Sequence, residues 1–257
     1  MKFALATAVA VAAAVLPARA ADRWEVIWDD TEGSFNQLQP GIVQEGHDLE
    51  PKPTGADVDW FVVVTHRERS YEARVFGGGV AWNWSGCQEC ATLDLVGDGR
   101  VVPGDNDQMS GPVGQSVRWI GLADARLRVR PGTVGPSSAE NKYDILLVDT
   151  TLFLPRFNNT GSQRTVLILQ NTRERAVSGQ IFFRQKDGTA WPDYPFTLAP
   201  QASLVLDTGS LPQIGQSSGS ASIAHTGGLG ALTGKAVALE PSTGFTFDTA
   251  LTTASTR

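Results

Sequence analysis

Apolar residues in this chain come in short runs that alternate with polar ones, and Gly, Pro, Asp or Asn breaks each run before a helix could form. Beyond residue 20 no apolar pattern holds a helical period. A period of two sends successive side chains to opposite faces, so these runs are strands that must pair and stack to hide one face. Trp60-Phe61-Val62-Val63-Val64 follows an acidic turn, and Tyr71, Ala73 and Val75 then alternate with Glu72 and Arg74 as a strand wet on one side. Ala91 to Val96, the turn Gly97-Asp98-Gly99 and Arg100 to Val102 read as a hairpin. The 27 Gly, 14 Pro and seven Trp suit strands and turns. The expected fold class is all-β: two tandem β-sandwich domains, jelly-roll or Ig-like, after a cleaved signal peptide.

Lys2, the apolar run Phe3 to Leu16 and the small-x-small motif Ala18-Arg19-Ala20 make residues 1–20 a secretory signal peptide, leaving 237 of the 257 residues. The apolar run is shorter than the ~20 residues a membrane span needs. The expected domains are then 21–150 and 151–251, with a tail at 252–257. The joint between them is placed in Asp149 to Asn171, where one apolar run stops, Pro155 and Asn158-Asn159-Thr160-Gly161 follow, and a stronger run begins at Thr165. The stretch is expected to be a short, rigid link. Pro131 to Asn141 has a linker's composition, but Tyr143 to Val148 still needs sheet partners before it, so it reads as a loop within the first unit.

The mature chain carries 19 basic against 27 acidic side chains, a net charge of −8. That balance argues against nucleic acid or an anionic membrane surface as the main partner. Localisation is expected to be exported, either secreted or periplasmic.

Little in the chain has the spacing of a catalytic or metal site. Cys87-x-x-Cys90 lacks the βαβ context of a redox pair and has no neighbouring His for zinc, so in an exported protein it reads first as a structural disulfide. Asp94, Asp98 and Asp105 stand at positions 1, 5 and 12 of a calcium-loop spacing with Gly99 at position 6. Val96 and Arg100 spoil that pattern, and Asp98-Gly99 is a preferred hairpin turn on its own account. His47, His66 and His225 form no metal spacing, no GxSxG is present, and Gly77-Gly78-Gly79 does not open a phosphate-binding helix. Arg126, Arg128 and Arg130 project from one sheet face about 7 Å apart. They are a candidate contact for an acidic polymer or, more simply, a solvated face. Trp82, Trp84, Trp119 and Trp191 are either sugar-stacking platforms or core.

The first unit resembles the bacterial pre-peptidase C-terminal domain, a small β-sandwich of exported proteins. The residues that carry the resemblance are Gly55-Ala56-Asp57-Val58-Asp59-Trp60-Phe61, Ser70 to Val75, the hairpin Leu93 to Val102 followed by Asp105-Asn106-Asp107, and Tyr143 to Val148. The resemblance spans about residues 35–149 and implies, for some members, calcium binding, which makes Asp57 and Asp59 a second acidic candidate. The Cys pair and the 130–141 loop depart from the pattern. The second unit is similar to an uncharacterised β-sandwich of exported bacterial proteins, through Pro155-Arg156-Phe157-Asn158-Asn159, Leu198-Ala199-Pro200 and Gly234 to Pro241 with Gly244-Phe245.

The expected function is therefore a non-catalytic exported module, binding a polysaccharide or protein ligand or serving as an accessory piece of the bacterial envelope or secretome. No catalytic residue or cofactor is assigned; calcium is the candidate ion, at Asp94, Asp98 and Asp105 or, through the resemblance, at Asp57 and Asp59. The alternative is an extracellular hydrolase of polysaccharide or peptide, using dispersed carboxylates such as Asp94, Asp105, Asp144 or Glu240.

Overall fold

The computed structural model describes residues 24, 30–49, 57–77, 91–105, 115–122, 124–131 and 142–254. The expected signal peptide, Cys87 and Cys90, Trp82 and Trp84, and residues 132–141 of the expected loop lie outside the described residues. The protein is all-β. Nine strands run to Asp149: β1 (Gln37–Leu38), β2 (Val43–Asp48), β3 (Asp59–Val63), β4 (Ser70–Gly77), β5 (Ala91–Gly97), β6 (Arg100–Pro103), β7 (Gln115–Ile120), β8 (Arg126–Pro131) and β9 (Lys142–Asp149). They form two sheets, β1-β3-β8-β5-β6 and β2-β9-β4-β7, antiparallel except for the β1–β3 pair.

Register explains how these sheets meet. Phe61 and Leu95 both stand opposite Leu127, which makes an apolar row across the first sheet. Tyr71 opposite Trp119, Ala73 opposite Leu147 and Val75 opposite Ile145 make the matching face of the second. Residues from both faces belong to one buried cluster, so the sheets pack face to face. Burying each such Leu or Phe contributes roughly 1.5–3 kcal/mol.

Nine further strands begin at Leu152: β10 (Leu152–Asn158), β11 (Arg164–Asn171), β12 (Val177–Gln185), β13 (Tyr194–Leu198), β14 (Ser203–Asp207), β15 (Ser218–His225), β16 (Leu232–Glu240), β17 (Phe245–Ala250) and β18 (Thr252–Thr253). They form the sheets β13-β12-β15-β10-β18 and β14-β11-β16-β17. A second buried cluster, with Phe157, Ile181, Phe183 and Ile223 from one sheet and Leu167, Leu169, Leu206 and Ala236 from the other, lies between them. The only helix among the described residues is a single 3-10 turn at Thr208–Ser210. No helix there is long and apolar enough to cross a membrane.

The stretch expected to connect the units is itself mostly strand: β10 pairs with β15 from Leu152 onward, and Pro155 sits in a bulge between Leu154 and Phe157. On its other side β10 meets β18 only at Leu152 and Phe153, so the N–H that Pro155 lacks costs no ladder bond. The passage between the two pairs of sheets is Thr150-Thr151, and both residues are buried. Thr150 N–H donates to the Ser70 carbonyl at 2.8 Å, Ser70 N–H donates to Thr151 Oγ1 at 3.0 Å, and Thr151 N–H donates to Asp149 Oδ1 at 3.0 Å.

A two-residue passage with every one of these groups bonded offers no site for a protease. Limited proteolysis of the folded protein is expected to spare residues 150–158, the passage and β10. First cleavage there, leaving two folded halves, would show that the units are freely jointed.

Candidate functional site

Alternation along β4 sends Tyr71, Ala73 and Val75 to the core and Glu72 and Arg74 to the opposite face. The alternation along β4 predicts that this face is wet. It is covered instead by the turn that follows β15, and Glu72 has 0% exposure. Its Oε1 accepts from Arg118 Nε at 2.9 Å. Its Oε2 accepts from Arg74 Nη2 at 2.5 Å and, across the seam, from the Leu229 backbone N–H at 2.9 Å. Burial pushes the Glu72 pKa up, but Arg74, the Leu229 N–H and Arg118 together outweigh it and hold the carboxyl below its ordinary value. The backbone of Gly228 comes so close that a Cβ there would lie 2.5 Å from Glu72 Oε1 and 2.7 Å from Arg118 Nε.

A histidine completes this lock. His225 is buried at the end of β15, and its Nε2 donates to the Thr150 carbonyl at 3.0 Å. Burial drives its pKa down to about 4, against the upward pull of Thr150, the Gly227 backbone and the Glu72 charge. Val148 faces away from the first core beside Glu72 and is also buried. Strand β15 lies against β7 across the same seam.

Beside the lock the seam opens into a cleft of about 500 Å³. One wall is the β3–β4 turn, His66 to Arg69; the other is the outward face of β10, β12 and β15, carrying Phe153, Arg184, Ser220 and Ser222. Ladder register places them there, since Phe153 stands opposite Ser222 and Arg184 opposite Ser220. Arg184 pairs with Glu68 across the cleft. Arg69 reaches Asp149 at 2.7 Å while its guanidinium lies 5.4 Å from the Phe153 ring centre. Asp193 stands near Glu68 and Arg184; burial first, then the Glu68 charge, raises its pKa, with Arg184 opposing. His66 and Arg67 are exposed on the rim. No hydrogen bond joins the His66 ring to Ser220 or Ser222.

The residues singled out in the sequence are scattered over other surfaces. Asp94 is buried on β5 and takes Arg128 at 2.7 Å and Arg130 at 3.0 Å on the same oxygen, Oδ2. Two of the three stripe arginines are thus bound to a cross-strand carboxylate, and Arg128 also lies over Trp60 at 5.4 Å. Asp98 and Gly99, with φ of 49° and 71°, form the β5–β6 turn. Asp105 reaches Arg118 at 3.3 Å and Arg175 at 3.5 Å. The calcium spacing is therefore a hairpin whose acids at positions 1 and 12 are met by arginines. No group of three His, Cys, Asp or Glu side chains able to hold a metal occurs among the described residues. Asp59 accepts from the Tyr143 hydroxyl, and Asp57 is fully buried. Asp144 accepts from the Gly46 N–H at 2.9 Å, and Glu240 accepts from the Ser162 and Ser242 hydroxyls. Trp119 is core, stacked on Tyr71 at 5.6 Å, and Trp191 packs against Phe157. The sequence reading missed Glu68, Phe153, Arg184 and Ser222, which come from four separate segments and carry no common local pattern.

No family model matches the chain, and no curated protein matches it. Among solved structures it is similar to the full extracellular region of zebrafish Gpr126/Adgrg6, at 8% identity and a TM-score of 0.27, over 83% of this chain and 30% of that one. It is also similar to a Bacteroides uniformis beta-glucuronidase, at 11% identity and a TM-score of 0.19, over 84% of this chain and 27% of that one. The chain thus spans less than a third of the length of either.

The lock has a defined pH response. Unfolded, a histidine takes up a proton as pH falls below 6.5, whereas folded His225 stays neutral down to about 4. The stability held by neutral His225 is complete above that upper value and is lost as pH falls through the window, on the order of 3 kcal/mol in all. The depressed Glu72 adds a loss in the same direction at lower pH, as pH falls from the ordinary carboxylate range through its folded pKa. Urea midpoints are expected to fall from pH 7 to pH 4.5, and His225→Gln is expected to flatten that slope. A midpoint independent of pH over this range would contradict the assignment.

Proposed function

We propose that this protein is an exported, non-catalytic binding module whose seam cleft takes a neutral extracellular polysaccharide. The observation that carries the reading is the cleft's balance of charge and polarity. Arg69 and Arg184 have Asp149 and Glu68 as partners, and Asp193 stands near Arg184, which leaves the exposed Arg67 as a single rim cation and no cluster to select an acidic polymer. What it offers is dense hydrogen bonding from Ser220, Ser222, Arg67 and His66 beside one aromatic ring, Phe153. A few placed polar groups with an aromatic wall suit a polyhydroxylated ring. Export rests on the signal-peptide pattern of residues 1–20. The pre-peptidase-like reading of the first unit, which rests on its sequence motifs, fits an accessory role.

A second reading, glycoside hydrolysis, draws on one observation. Asp193, with its raised pKa, stands near Glu68 of the cleft, and a pair of carboxyls is what such chemistry uses. The Glu68–Arg184 ion pair weighs against it, because it fixes Glu68 as a charged strut between the units.

Affinity electrophoresis in gels containing dextran, glucomannan, xylan or alginate separates these readings. A neutral polysaccharide is expected to retard the protein, and Phe153→Ala to weaken that retardation about fivefold, the loss of ~1 kcal/mol of ring contact. Release of reducing sugar that disappears in Asp193→Asn would establish the hydrolase. Retardation by alginate alone, or by none of the four, would overturn the neutral-polysaccharide reading.

A further inference from the structure

The outermost strand of the β14-β11-β16-β17 sheet is incomplete in a specific way. β17 pairs with β16 without a break, from Phe245 opposite Glu240 to Ala250 opposite Lys235, and its other edge has no partner among the described residues. Phe247 stands opposite Ala238, which shares a sheet face with the buried core residue Ala236. Phe245 and Phe247 therefore point to the core side of the sheet, yet they are 65% and 66% exposed. The facing sheet leaves a gap here too, because β18 covers β10 only at Leu152 and Phe153. The result is a groove of about 280 Å³ with Phe247, Ala238 and Thr249 on one wall and Arg156 and Asn158 on the other.

Edge strands are normally blunted by charged side chains, Pro or a bulge; β17 has neither Pro nor bulge, and its one charge, Asp248, is paired with Lys235 on β16. We propose that this edge is a strand-addition site for an extended segment of a partner protein. That segment carries apolar side chains at alternate positions and a carboxylate set to meet Arg156. Backbone pairing along β17 supplies affinity, and the apolar side chains complete the core side over Phe245 and Phe247.

Charge selects the occupant. Lys235 and Asp248 pair with each other at 2.5 Å, and Glu240 is held by Ser162 and Ser242. Arg156 is the groove's cation without a partner among the described residues. A second copy, paired antiparallel about Phe247, would bring a second Arg156, while its Asp248 and Glu240 arrive already engaged by Lys235 and by the Ser162 and Ser242 hydroxyls. An acidic strand from another protein brings the missing charge.

Fluorescence anisotropy with the full chain tests this using two labelled peptides of alternating Val and Thr, one with a central Asp and the other with Lys in its place. The Asp peptide is expected to bind at least about tenfold more tightly. Arg156→Glu is expected to reverse that preference, and Phe247→Lys to abolish binding of both peptides with the melting temperature unchanged. Failure of both peptides to bind, or a preference unaffected by Arg156→Glu, would overturn the proposal. So would a concentration-dependent dimer that Phe247→Lys dissolves, because it would assign the edge to a second copy.

Discussion

A carboxylate held away from water between two pairs of sheets sets the shape of this molecule. Taking an ion such as Glu72 out of solvent costs several kcal/mol unless its oxygens are fully used. Here two guanidiniums and one backbone N–H use them. The geometry is demanding on both sides. Arg118 is only 9% exposed and needs the same carboxylate, and the Leu229 N–H can reach it only because Gly228 has no side chain. An interaction of this kind adds little net stability compared with an apolar contact, but it penalises every other arrangement of the units, since any displacement leaves buried charge unpaired. Its contribution is to orientation.

The covalent path works to the same end. With only Thr150 and Thr151 between β9 and β10, and Ser70 bonding to both, the second pair of sheets has little freedom to swing. His225 ties its own sheet to that passage through the Thr150 carbonyl. The cleft depends on all of this. Its walls belong to different units, so Phe153 and Ser222 keep their distance from the His66–Arg69 turn only while the seam stays closed.

Much of the architecture was legible because local physics decides it. Alternation at Tyr71, Ala73 and Val75, or at Leu127 and Val129, needs no knowledge of partners to say which side is apolar. Asp98-Gly99 was readable as a hairpin turn because both residues adopt positive φ there, as a type I′ turn requires. The failures share a cause as well. A polar residue opposite an apolar face reads as solvated, and nothing within β4 reveals that Glu72 meets an amide 157 positions away. Arg128 and Arg130 read as free cations because Asp94 is a partner across strands, not along one. Pro155 suggested a linker, whereas a bulge on a half-open strand tolerates it equally well. The cleft, drawn from the β3–β4 turn and three later strands, had no local signature at all.

Native-state hydrogen exchange at the Leu229 amide tests the central claim most directly. That amide lies in a turn without ladder partners, and its bond to Glu72 ties it to the other unit. If the lock holds the units as described, Leu229 exchanges only with opening of the seam, and its protection approaches that of core amides such as Leu147. Exchange at the rate of an exposed turn, orders of magnitude faster, would show that the seam opens freely and would contradict the account.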